Sequence, residues 1–120
     1  SSIMSVDIKK NFGRVIREIE DDAAKSAIRV GEILIKISNA SYTPYKTGDL
    51  ADSAYVEKAF QGAAIVYNKD YAARLYNGFV NNYNKDKNSQ AGPFWIDRAA
   101  ASSRKIILDV VADTIIRGDK

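Results

Sequence analysis

The chain has 120 residues, 18 Lys or Arg against 15 Asp or Glu for a formal charge of +3, and neither cysteine nor histidine. Those two absences exclude a disulfide framework, a thiol nucleophile, a Ser-His or Cys-His mechanism and most zinc sites. The length fits one domain. No apolar run approaches the roughly 20 residues of a membrane span, and no charged-then-apolar signal segment opens the chain, so the expectation is a soluble protein of a reducing compartment with no membrane partner.

In chain order, the first expected element is a long helix over residues 5–37. Ile8, Phe12, Val15, Ile16, Ile19, Ala23, Ala27, Val30, Leu34 and Ile37 recur at steps of three and four, with charged residues filling much of the remaining circumference. At 1.5 Å per residue such a helix reaches about 50 Å, more than a domain of this size needs, so part of it is expected to project toward a neighbour. Ser5 is placed to cap its start and Asn39 to help end it, and Gly13 and Gly31 mark points where it could bend.

Residues 43–50, Thr-Pro-Tyr-Lys-Thr-Gly-Asp-Leu, form a turn. Pro44 fixes its own φ, Gly48 supplies backbone freedom, Thr47 is a turn-stabilising hydrogen-bonder, and Leu50 is the first core residue after the bend. Residues 51–68 hold two β-prone runs separated by Gln61-Gly62 and read as a β-hairpin. A short helix is expected over 71–77, stopped by Asn77-Gly78. Residues 81–92 are polar, asparagine-rich and aperiodic, hence an exposed loop. Gly92-Pro93 opens a C-terminal helix over 93–117 with Phe94, Trp95, Ala99, Ile106, Ile107, Val110, Val111 and Ile115 on its buried side, Arg117 in its last turn and Gly118 beyond it. Grouped strands between helices point to an α+β fold, with the N-terminal and C-terminal helices packed on one face of a small antiparallel sheet and a short helix between them.

Residues patterned for chemistry are few. Asp109 and Asp113 stand at i and i+4, the spacing of an acid/base pair or a hard-metal site, but a solvated acidic face is the commoner meaning of such a pair. Neither a Walker pattern nor GxGxxG occurs. The expectation is therefore no enzyme, no cofactor and no small-molecule substrate. Charge is balanced in residues 1–60, nine of each sign, and basic in residues 61–120, nine against six. Tyr83, Lys85, Lys87 and Asn88 in the polar loop are the candidate interface or docking residues; separately, Tyr76 and Tyr83 could stack on bases and Lys85 and Lys87 meet phosphates. A small sequence-tolerant DNA-binding module is accordingly one functional reading.

A resemblance supplies the other. Thr43-Pro44 followed by Thr47-Gly48-Asp49-Leu50, then Ser53, Ile65-Val66-Tyr67, Asp70-Tyr71-Ala72, Leu75-Tyr76-Asn77-Gly78, Lys85-Asp86-Lys87-Asn88, Ala91-Gly92-Pro93-Phe94-Trp95 and Arg98-Ala99 resemble, in order and spacing across residues 40–100, the minor capsid proteins of tailed phages, which belong with head-tail joining and tail-completion proteins. The resemblance implies a structural subunit of the virion neck. It would be made in the bacterial host cytoplasm and assembled as a ring of its own copies between portal and tail, with genomic DNA passing through. No catalytic residues are implied, and Pro44, Thr47, Gly48, Leu50 and Trp95 act only in defining the fold.

Overall fold

In Val15-Ile16-Arg17-Glu18-Ile19-Glu20 the side chains at 15, 17 and 19 are buried and those at 16, 18 and 20 more open, the period of two that belongs to a half-buried strand. The computed structural model describes residues 4–6, 13–20 and 24–117. In it Met4–Val6 is β1, Val15–Glu20 is β2 and Ala24–Ser41 is helix α1. The helix expected over 5–37 is thus corrected: its first half contributes two strands, and the true helix starts at Ala24 and runs past residue 37. Ser5 sits within β1, paired with Glu18, rather than ahead of a helix. Of the residues assigned to that helix's apolar stripe, Ile8, Phe12 and Ala23 lie outside the described residues, as does Gly118 at the other end of the chain.

After α1 come a single turn of helix α2 (Asp49–Asp52), strands β3 (Ala54–Ala59) and β4 (Gly62–Tyr67), a short helix α3 (Ala72–Tyr76), and helices α4 (Trp95–Ser102) and α5 (Arg104–Ile116). The sheet is antiparallel in the order β1-β2-β4-β3, with Ile16 opposite Val66 and Val66 opposite Tyr55. The fold is the expected α+β arrangement, with the helices on one face of a small antiparallel sheet. All six residues of β4 are buried. Val15, Ile19, Ala63, Ile65 and Tyr67 form the sheet side of the core, and Ala27, Val30 and Leu34 come down on them from α1.

At 18 residues α1 is about 27 Å long, enough to cross the sheet without the surplus expected of a projecting helix. It comes unusually close. A Cβ on Gly31 would lie 2.9 Å from Val56 Cγ2 and 3.4 Å from Ile65 Cγ1. Gly31 therefore does not bend the helix; it lets the helix backbone settle on β3 and β4.

The C-terminal helix also departs from expectation. Pro93 precedes the helix rather than starting it, and Phe94 stands at the cap position with φ 53°, its N–H donating to the Tyr76 carbonyl at 2.9 Å. Ser103 (φ −119°, ψ 22°) then interrupts the helix and resets its phase. The inward face of α5 becomes Ile107, Val110, Val111 and Thr114, while Ile106 and Ile115, like Phe94, are exposed instead of buried.

Gly31→Val adds three carbons where the sheet is already in contact, and overpacking of this kind costs about 1–3 kcal/mol. The variant is expected to unfold at lower urea concentration with an unchanged m-value, measured by circular dichroism.

Candidate functional site

The C-terminal end of α1, the turn over 43–50 and the polar loop over 81–92 are held together by buried amides and hydroxyls. Thr43 and Tyr67 each donate their hydroxyl proton to Asn39 Oδ1, at 2.8 and 2.7 Å. With its one proton committed, Thr43 accepts from Ser38 Oγ at 2.7 Å. Asn39 Nδ2 donates onward to the Ala51 carbonyl at 3.2 Å. Thr43, Ser38 and Tyr67 have no exposed surface, so each of these bonds satisfies a group that would otherwise be buried unpaired.

Asn88 joins the same cluster. Its amide donates to the carbonyls of Asn39 and Thr43, at 3.0 and 2.9 Å, and the residue is buried. It is a clamp that closes the loop onto helix and turn, which corrects its place among the docking residues. Helix α1 ends here with carbonyls that have no helical partner, and a buried carboxamide is a chemically suitable donor for them.

The other loop candidates divide. Tyr83 is half-buried and its hydroxyl donates to the Leu75 carbonyl at 2.6 Å. Lys87 stands over the Tyr45 ring with 4.0 Å to the centroid, a cation-π contact between loop and turn. Lys85 is exposed. Tyr83, Tyr45, Tyr71, Leu75, Leu50 and Pro44 border a groove of ≈ 250 Å³ between turn and loop.

Arg98, part of the motif series but given no role from sequence, fixes the loop's far end. Its Nε donates to the Pro93 carbonyl at 2.8 Å and its Nη1 to that of Gln90 at 2.9 Å, while the guanidinium lies 5.1 Å from the Tyr42 ring centroid. An arginine on the first turns of a helix carries no signal that it will grip the loop preceding it.

The turn residues have plain local roles. Gly48 has φ 91° and precedes α2, and a Cβ there would lie 2.8 Å from the Tyr45 hydroxyl. Thr47 Oγ1 accepts from the Asp49 N–H at 3.4 Å. Pro44 and Leu50 are buried. Trp95 is fully buried, its ring edge-on to Tyr67 (5.4 Å, 77°) and to Tyr76 (4.6 Å, 77°).

Beneath these aromatics, Arg17 on β2 forms a salt bridge with Asp97 in the first turn of α4. The Tyr76 hydroxyl accepts from the Asp97 N–H at 3.2 Å. Burial, followed by the nearby Asp97 charge, raises the Tyr76 pKa, with the Arg17 charge acting the other way.

Of the acidic pair on α5, Asp113 faces Arg117 at 3.4 Å and Arg29 at 3.8 Å, and Asp109 borders a second groove, of ≈ 510 Å³, between α1 and α5. Among the described residues no group of three or more His, Cys, Asp or Glu is placed to hold a metal ion, and no helix is long and apolar enough to cross a membrane.

Burial pushes the Tyr67 hydroxyl up to about 12 from its ordinary 10.0. The neutral phenol is thus favoured by the fold. Its contribution to stability is fully present below pH 10 and declines as the pH climbs toward 12, because the unfolded chain releases that proton first. Urea midpoints measured from pH 9 to 12 should fall across this window in the native chain, and Tyr67→Phe should flatten the fall while lowering stability at neutral pH. Gly48→Val places a β-branched residue at a left-handed position and is expected to cost about 1–3 kcal/mol or prevent folding; a soluble variant with native melting behaviour would contradict the assignment of Gly48 to the turn.

Three comparisons with known proteins bear on identity. Neither a curated protein nor a solved structure matches the chain. A model of the minor capsid protein family matches residues 6–113, from β1 almost to the end of α5. The chain therefore belongs to the minor capsid protein family, a family of viral structural proteins.

Proposed function

We propose that this minor capsid protein is a neck subunit of a tailed phage or prophage, forming a ring of identical copies between the portal and the tail. The observation that carries the reading is the family match over residues 6–113, joined to the ordered motifs from Thr43 to Ala99 that resemble head-tail joining proteins. The molecular surface supports a subunit that lives in an assembly. Leu108, Ile115 and Ile116 lie exposed on the outer side of α5, a helix that is apolar around most of its circumference, and such helices are ordinarily covered. Phe60 and Phe79 are exposed as well.

The DNA-binding reading loses ground to the same geometry. Of the loop residues that could meet a nucleic acid, Tyr83 is half-buried with its hydroxyl bonded to the Leu75 carbonyl, and Lys87 is engaged with Tyr45. Passage of genomic DNA through a neck lumen asks for less than binding, and a modest +3 charge suits it.

Deleting the gene from the virus that encodes it should leave DNA-filled heads and free tails in the lysate, visible by negative-stain electron microscopy, with joining restored by the purified protein. Normally joined particles in the deletion lysate would overturn the neck assignment.

A further inference from the structure

Phe60 and Gln61 form the two-residue connection between β3 and β4, and Phe60 is 98% exposed. Two-residue hairpin connections favour glycine, asparagine and aspartate, so a phenylalanine there serves no purpose in the turn itself. Elsewhere on the same chain lies the ≈ 510 Å³ groove between α1 and α5. Ile33, Ile106 and Val110 give it an apolar lining, and Arg29, bonded to Thr114 Oγ1 at 3.1 Å and facing Asp113 at 3.8 Å, bridges its two helices. We propose that Phe60 of one copy inserts into the α1–α5 groove of the next, a self-contact that rests on the ring reading and specifies its interface.

Charge selects the occupant and its orientation. Along β3 successive side chains point to opposite faces, so exposed Glu57 and Lys58 give the hairpin one acidic and one basic side just behind the phenylalanine. The groove is divided in the same sense by net charge: its α1 wall carries Arg29, Glu32 and Lys36, one positive charge in excess, and its α5 wall carries Asp109 and Asp113. A hairpin entering with Glu57 toward Lys36 brings Lys58 toward Asp109 in the same pose, whereas the reversed pose sets like charges together. Phe60 is exposed in its own chain, so the contact joins two copies through two different patches. Such a heterologous contact closes into a ring or continues as a filament.

The chain has no cysteine, which makes the test direct. Gln61→Cys, which keeps Phe60 in place, and Ile106→Cys variants, the second carrying a size tag, are mixed and oxidised with copper phenanthroline, with Gln61→Cys plus Lys46→Cys as the control pair at an exposed turn. A disulfide-linked heterodimer of the first pair well above the control is expected, reversed by dithiothreitol. In parallel, light scattering should show Asp109→Lys raising the concentration for half-assembly at least tenfold, and Lys58→Asp combined with Asp109→Lys restoring it. Heterodimer yield no greater than the control overturns the contact, whatever the native chain's assembly state. The gene-deletion phenotype judges the neck reading independently, so the contact can fail while that reading stands.

Discussion

A guanidinium buried on the inner face of a sheet has to be met by a carboxylate, and much of this fold follows from how Arg17 meets that demand. Its side chain is 8% exposed, and Asp97, eighty residues further along, is the partner. Removing the Arg17 charge from water is costly unless it is well met, while Asp97, 37% exposed, stays partly solvated. Here α4 must start where Asp97 reaches β2, which fixes Trp95 between Tyr67 and Tyr76 and brings the Tyr76 hydroxyl under the first turn of the helix. Among the described residues Arg17 Nε has no hydrogen-bond partner. The pair therefore adds less to stability than to specification: it selects one placement of α4 from the many that aromatic packing alone would allow.

A second cluster, joined to the first through Tyr67, fixes the C-terminal end of α1. Asn39, Thr43, Tyr67 and Asn88 come from the helix, the turn, the central strand and the polar loop, and the carboxamides bond both side chains and backbone. Low local dielectric strengthens these bonds and makes each one expensive to lose. The loop, which has no regular secondary structure between Asn81 and Gly92, acquires a fixed path at its base from Asn88 and Arg98.

The α+β class was legible because β-prone and helical segments are grouped along the chain. The start of α1 was not legible for a specific reason. Val15 and Ile19, four apart, satisfy helical spacing as well as strand alternation, Ile16 fits only the helical spacing, and the residue that would have decided the matter, the inward-facing position 17, is an arginine. Only its distant partner makes it a core residue, and that partner is invisible to a local pattern. Asn88 was misplaced for a similar reason, since an asparagine among asparagines and lysines looks solvated until helix carbonyls are found beside it. Gly31 answers to proximity and not to flexibility, a distinction that depends on Val56 and Ile65 across the sheet. The interruption at Ser103 had no proline or glycine to announce it, and it shifted the buried face of everything that follows.

That interruption leaves α5 in an unusual energetic position. Thr114 is its one fully buried residue among those described, and its packing is chiefly against α1 rather than the sheet. Few buried contacts mean a small free energy of local opening, well below that of the strands. In an isolated subunit the amide protons of α5 would exchange early, as a last shell over an already complete core. In the proposed ring, a neighbour covering its outer side would supply much of the protection it lacks, and the order of this helix would then measure how far assembly had gone.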